Sequence, residues 1–193
     1  QDLSSSLIPK VLDVSRNMTV LDACSAPGTK TQEIAMFMQN EGEIIAQDIY
    51  EKRVQLIDHL MLKTGVSIVK TKVQDSSVLN EEYINKFDRV LLDAPCSGLG
   101  DLRHKPEIRF HLKPDNIDEL TSLQKKLLEV NGQYVKEGGI LVYSTCTLNK
   151  KENEKQIQTF LKNHSEYELI EEKTLFPYIE NSDGFYYAKM RRK

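Results

Sequence analysis

The 193-residue chain contains no apolar run that approaches the ~18 residues of a membrane span, so a bilayer is not an expected partner. Cysteine is scarce: Cys24, Cys96 and Cys146 stand far apart, with no CxxC and no HxxxH spacing anywhere. That excludes a disulfide framework and a finger-type metal site, so no metal is expected and the compartment is expected to be reducing and cytoplasmic. A basic excess is lacking too. With 26 Lys and Arg against 29 Asp and Glu, the net charge is −3, and any nucleic-acid surface must be local. No basic and apolar leader opens the chain, and there is no repeat, low-complexity tract or linker. The length suits one domain over residues 1–193, expected to be a monomer. The opening "QDLSSSL" starts at Gln1 and reads as a chain entering in mid-course.

From Thr19 onward, short apolar runs alternate with longer amphipathic segments. "MTVLDAC", "EIIAQD", "VSIVKTK", "FDRVLLDAP" and "GGILVYSTC" predict five strands. "TKTQEIAMFMQN", "YEKRVQLIDHLMLKTG", "NIDELTSLQKKLLEVNGQYV" and "NKKENEKQIQTFLKNH" predict helices, with residues 96–115 as a long loop. "YELIEE" and "GFYYAKMRR" add late strands around a polar loop with Asn181, Asp183 and Gly184. Strand–helix–strand crossovers require a parallel sheet with right-handed connections. The expected fold class is α/β, a Rossmann-like, mostly parallel, doubly wound sheet with a late antiparallel strand.

Sheets of this kind bind ligands beyond the carboxyl ends of their strands, where all three cysteines fall. A single cysteine is most often just packed, but three at one sheet edge are harder to dismiss. "LDACSAPGTKT" joins a strand to a helix start through a small-residue turn, a setting whose amides favour a polar or anionic ligand group. It matches neither GxxxxGK[ST] nor GxGxxG, because Thr29 separates Gly28 from Lys30 and position 23 is alanine. The ligand therefore need not carry phosphates. Asp22, Asp48 and Asp75 end three successive predicted strands, where Asp48 would take ribose hydroxyls and Asp75 an adenine edge. Each could instead cap its own turn. Together they suit S-adenosylmethionine better than NAD or ATP.

In order and spacing, "LDACSAPGTKT", "LLDAPCSGLG" and "YSTCTLNKKENE" resemble the signature motifs of RNA (cytosine-5-)methyltransferases of the Sun/Nop2 type, with the bacterial 16S ribosomal RNA branch as the nearest match. The likeness runs over essentially the whole chain. It implies an S-adenosylmethionine-dependent enzyme that methylates C5 of a cytosine in RNA, most naturally ribosomal RNA, in the cytoplasm. The expected cofactor contacts are Asp22, Cys24, Ser25, Ala26, Pro27, Gly28, Lys30, Asp48, Arg53, Asp75 and Asp93. Cys24 itself is expected to pack.

Carbon 5 of cytosine becomes nucleophilic only after a thiolate adds to carbon 6, and a free thiol is only a few per cent ionised at neutral pH. Cys96 stands three residues from Asp93, whose charge would raise its pKa, which favours Cys146 as the nucleophile. The family resemblance agrees: the cysteine of the "TC" motif attacks, Cys96 helps product release, Asp93 holds the base and Lys30 reaches the reaction centre. A solvent-facing helix-start lysine is the bland alternative for Lys30. The loop "DLRHKPEIRFHLKP" places Arg103, Lys105 and Arg109 beside the proposed pocket as phosphate contacts. Relatives of the ribosomal type normally carry an N-terminal RNA-binding region that this chain lacks, so weak methylation by the chain alone is expected. The competing expectations are a catalytically silent RNA-binding or assembly module on the same fold, a small-molecule methyltransferase, or action on another RNA such as tRNA.

Overall fold

The strands of the computed structural model, which describes residues 3–180 and 182–193, form one seven-stranded sheet. In chain order the elements are α1 (Leu3–Ser6), α2 (Ile8–Val11), β1 (Thr19–Asp22), α3 (Thr29–Phe37), β2 (Glu43–Asp48), α4 (Glu51–Thr64), β3 (Val69–Val73) and β4 (Phe87–Asp93). They continue with α5 (Ile108–His111), α6 (Pro114–Gly132), β5 (Val135–Thr145), α7 (Glu154–Asn163), β6 (Tyr167–Leu175), α8 (Pro177–Glu180) and β7 (Phe185–Arg192). The strand order is β3-β2-β1-β4-β5-β7-β6. β1 pairs in parallel with β2 and β4, and β4 with β5; β7 alone runs antiparallel, against both β5 and β6. The order reverses between β1 and β4, which puts a crevice at their carboxyl ends.

The sheet forms because its central strands are apolar on both faces. Successive strand side chains point to opposite sides. Leu21, Val90, Leu92, Leu141 and Tyr143 therefore pack with Leu127 and Leu128 of α6 and Ile157 and Phe160 of α7. Val20, Leu91, Ile140 and Val142 face the other way, onto Ile8 and Val11 of α2 and Ile34 and Ala35 of α3. Ile57 and Met61 of α4 close over Ala46 on β2. Truncating one of these central leucines, for example Leu91→Ala, costs about 2–5 kcal/mol.

The structure differs from the sequence-based expectation at several ends. The helix expected to run through Val135 stops at Gly132, because the Asn131 side chain donates to Leu127 O (2.8 Å) and to Ser76 O (3.0 Å). A Cβ on Gly132 would lie 2.9 Å from the Phe160 ring. Val135 instead opens β5, and Tyr134 is wholly buried. α7 starts at Glu154 rather than Asn149, since residues 149–153 are spent in side-chain-bonded turns. The expected loop after Cys96 holds the short α5, and α6 begins at Pro114. The helices α1 and α2 lie before the first expected strand. Asn181 of the expected polar loop lies outside the described residues.

Candidate active site

The turn from β1 to α3 is tied to β2 and α4. Gly28 takes φ +101° to cap α3, and a Cβ there would meet Ile57 of α4 at 3.2 Å, so α4 packs directly on the turn. Ser25 pins the turn to β2 through its N–H (2.9 Å) and hydroxyl (3.0 Å), both donating to Gln47 O. Ala26 is half-buried and Pro27 exposed; the Ala26 carbonyl accepts from Arg53 Nη2 at 3.1 Å. The same guanidinium lies 3.3 Å from Asp48 Oδ2, while Asp48 Oδ1 accepts from Tyr50 N–H. Asp75 Oδ1 accepts from the N–H and hydroxyl of Ser77, so the turn-capping geometry is realised there.

Asp22 is buried and faces inward. Its Oδ2 accepts from Thr31 Oγ1 of α3 at 2.7 Å, and Oδ1 has no hydrogen-bond partner among the described residues. Burial pushes its pKa up to about 7, and the Asp93 charge adds to the effect. Burial likewise drives the Cys24 thiol well up, with Asp22, Asp93 and Asp48 reinforcing it, so Cys24 is a neutral, packed thiol.

The second half of the site rests on long-range contacts. Lys30 Nζ lies 2.7 Å from Asp93 Oδ2, and Ser144 Oγ donates to Asp93 Oδ1 at 2.7 Å. Only 14% of the Lys30 side chain is exposed, which overturns the solvent-facing alternative. Burial would lower the Lys30 ammonium, but Asp93 outweighs it and the net shift is upward. Cys96 and Cys146, 50 positions apart in the chain, bring their Sγ atoms to 3.1 Å as free thiols. Three backbone segments meet here: Gly100 N–H donates to Cys146 O, and Gly184 N–H donates to Gly100 O, each at 2.9 Å. A Cβ on Gly100 would sit 1.8 Å from the Gly184 carbonyl oxygen, so only glycine fits.

The thiols titrate apart. The hydrogen bond between the two Sγ atoms holds Cys146 below the ordinary thiol value against burial and the Asp93 charge, with Lys105 assisting. The same hydrogen bond drives Cys96 well up, with burial next. The cause differs from the one read in the sequence. Asp93 raises both thiols, and the discrimination comes from the thiol–thiol bond and Lys105.

Lys30, Asp93, Lys105, Cys146, Asp183 and Phe185 are among the residues that line a cleft of about 610 Å³. Arg103, Lys105 and Arg109 are all exposed; Lys105 lines the cleft, and Arg109 sits on α5. Lys105 pairs with Asp101 at 2.7 Å, and His104 Nε2 lies 3.5 Å from Asp183. Ligand atoms of Asp101, His104 and Asp183 fall within 4.8 Å of one another, an arrangement these ion pairs account for. No helix among the described residues is long and apolar enough to cross a membrane. Sequence reasoning missed Asp101, Asp183 and Phe185 as cleft residues, and Gln124 and Glu152 beneath it.

One antiparallel strand in an otherwise parallel seven-stranded sheet is the Rossmann-like fold shared with S-adenosylmethionine-dependent methyltransferases. Residues 9–191 match the family described as 16S rRNA methyltransferase RsmB/F, and the chain belongs to that family. It is 37% identical over 211 residues to a probable ribosomal RNA small subunit methyltransferase B of Bacillus subtilis, covering 100% of this chain and 47% of the relative. A Yersinia enterocolitica ribosomal RNA small subunit methyltransferase B is 35% identical, with 100% and 46% covered. The chain thus spans about half the length of these relatives. The crystal structure of PH0851 superposes with a TM-score of 0.97 at 36% identity, covering 100% of this chain and 46% of that one. NSun6 from Pyrococcus horikoshii, solved with SFG, gives 0.91 at 30%, covering 100% and 52%.

The donor set fits the cofactor of this class. Asp48 and Asp93 end β2 and β4, and Asp75, expected at a strand end, lies two residues beyond β3, which stops at Val73; around a turn of small residues they offer acceptors for hydroxyls, an amine and a sulfonium charge, with no glycine-rich phosphate cradle. Asp48, Arg53 and the turn 24–28 would hold the nucleoside end, and Asp93 the methionine end.

Proposed function

We propose that this chain is the catalytic part of an RNA (cytosine-5-)methyltransferase acting on 16S ribosomal RNA in the cytoplasm. The observation that carries this reading is the Cys96–Cys146 pair, with Sγ atoms 3.1 Å apart and Cys146 on the wall of a cleft that also holds the Lys30–Asp93 ion pair. Methylation of oxygen or an amine needs no covalent addition to a ring, and so has no use for two adjacent thiols.

S-adenosylmethionine, when bound, supplies an electrophilic methyl group on a sulfonium. The protein's part begins with Cys146, held as the more acidic thiol, whose thiolate adds to C6 of cytosine and pushes electron density to C5. Asp93, fixed by Lys30 and Ser144, accepts from the cytosine amino group and keeps the ring over the thiolate. After C5 has taken the methyl group, its proton passes to water in the open cleft. The electrons of that C–H bond restore the C5–C6 double bond as the C6–S bond breaks. Cys96, a neutral thiol one hydrogen bond away, stabilises the departing Cys146 thiolate.

Trapping with RNA containing 5-azacytidine tests the scheme. Cys146→Ala should form no adduct and lose turnover on the scale of nucleophile removal in other enzymes, roughly 10⁶-fold. Cys96→Ala should accumulate an adduct on ordinary RNA that survives denaturing electrophoresis. Exchanged outcomes would reverse the two roles, and no adduct with the native protein would remove the covalent mechanism.

A further inference from the structure

Beneath the two thiols lies a carboxylate that the reaction scheme does not use. Glu152 is wholly buried, and no Lys, Arg or His lies within ion-pair distance of it among the described residues. A buried, unpaired charge is costly unless several donors surround it. Here they do, and they come from three elements. From the loop after β4, Ser97 donates its N–H to Oε2 (2.8 Å) and its hydroxyl to Oε1 (2.6 Å). From α6, Gln124 Nε2 reaches Oε2 at 3.1 Å and also Pro95 O at 2.9 Å. From the loop after β5, Thr147 Oγ1 lies 3.4 Å from Oε1 and 2.9 Å from Ser97 Oγ. The backbone of Glu152 is anchored in turn, its carbonyl accepting from the Tyr143 hydroxyl at 2.6 Å.

Ser97 directly follows Cys96 and Thr147 directly follows Cys146. We infer that Glu152 is a positioning residue that clamps these two neighbours together and so sets the separation and orientation of the two thiols. The inference deepens the two-thiol reading and rests on it for its catalytic meaning. Glu152 touches neither Sγ and is not a reacting group. Its part is to keep the two Sγ atoms within hydrogen-bond distance of each other.

Closure of a Cys96–Cys146 disulfide reads this geometry without RNA or cofactor. With oxidised glutathione as the probe, the Cys146 thiolate displaces one glutathione thiolate. Cys96, deprotonated, then displaces the second, so two electrons pass from the protein to the probe. Mass mapping follows closure, the pH dependence of Cys146 alkylation follows its ionisation, and circular dichroism checks the fold.

Glu152→Ala should slow closure by roughly 100-fold, the effect of about 1 Å of misplacement between held groups, and move the Cys146 alkylation midpoint to higher pH. In Glu152→Gln the amide oxygen can accept from Ser97 N–H and Gln124 while its nitrogen donates to the two hydroxyls, so closure should recover to within about threefold of the native rate. A folded Glu152→Ala that closes at the native rate overturns the inference, as does Glu152→Gln as slow as the alanine variant. Should Glu152→Ala not fold, Ser97→Ala decides: slower closure supports the clamp and a native rate overturns it. A failure of cytosine methylation would leave these readouts unchanged, so the two ideas fail separately.

Discussion

On the β1–β2–β3 side of the crevice, Asp48 and Asp75 each accept from an amide two residues further on, and Ser25 is pinned to the adjacent strand. On the β4–β5–β7 side, Cys96, Cys146 and Gly184 converge from segments far apart in the chain, tied by Glu152 and by backbone bonds at Gly100. In the first half the Asp48 and Asp75 turns are ones their own segments can make, while Ser25 and Arg53 add ties across 22 and 27 positions. The second exists only once the sheet has assembled, because its bonds span loops whose closure entropy the fold must first overcome. Substitutions that break single contacts should therefore be tolerated better on the cofactor side than on the thiol side.

Two glycines make that contrast sharp. Gly100→Ala drives a Cβ into a backbone carbonyl at 1.8 Å, with the Cys146 carbonyl at 2.9 Å as well. No rotamer relieves this, so we expect a loss above ~4 kcal/mol, in the range of exceptional single substitutions, together with loss of adduct formation. Gly28→Ala places its Cβ 3.2 Å from the Ile57 side chain and imposes a left-handed conformation, at about 1–2 kcal/mol. Urea melts of both variants make the comparison. Equal losses would mean that the two halves are not held differently.

A buried carboxylate on the cofactor side gives the next effect. Asp22 has an ordinary carboxylate pKa of 3.8 in the unfolded chain and about 7 in the fold, where burial disfavours its charge. Between those values the folded state keeps a proton that the unfolded state has lost, so this contribution to stability is full below pH 3.8 and is lost as pH rises to about 7. At about 1.36 kcal/mol per unit, the upper bound on the loss is on the order of 4 kcal/mol. Asp22→Asn keeps an acceptor for Thr31 and cannot ionise. The difference in unfolding free energy between native and variant chains should slope with pH across that window, and a flat difference would show that Asp22 ionises freely.

The comparison also explains what was legible in the sequence. The β4 run Val90–Leu91–Leu92 announced a strand buried on both faces, and the turn residues Gly28, Asp48 and Asp75 announced local structure, because their partners sit within a few positions. Asp93 and the two cysteines were visible through motif resemblance and strand-end position. Glu152 and Gln124 were not, since a buried glutamate and glutamine on polar stretches look like solvated ones until distant donors are placed around them. The end of α6 was misread for a related reason: "VNGQYV" continues a helical pattern, and only the tertiary contacts of Asn131 and Gly132 stop it. Asp93 was expected to set the two thiols apart by raising Cys96, but it raises both, and the difference arises from their mutual hydrogen bond across 50 positions, with help from Lys105.

The smallest expected effect lies at the rim of the thiol side. Arg103, Lys105 and Arg109 are exposed, and an exposed cation on a loop contributes little to stability, so their replacement by alanine should shift unfolding by less than about 0.5 kcal/mol. Their proposed work is on phosphate. Each single-strand phosphate contact contributes about 0.7 to the slope of log affinity against log salt, so the triple variant should flatten RNA binding by roughly 2 in that slope. Cofactor affinity should stay level, because Asp48, Arg53 and the turn 24–28 lie on the other half of the crevice. Lys105 is the separable member: it pairs with Asp101 and helps to keep Cys146 acidic, so Lys105→Ala alone should also raise the pH at which Cys146 is alkylated, whereas Arg103→Ala and Arg109→Ala should not. Filter binding over a salt series and thiol alkylation over a pH series read the two effects independently. An unchanged salt slope would remove the phosphate role while leaving Lys105 its effect on the thiol.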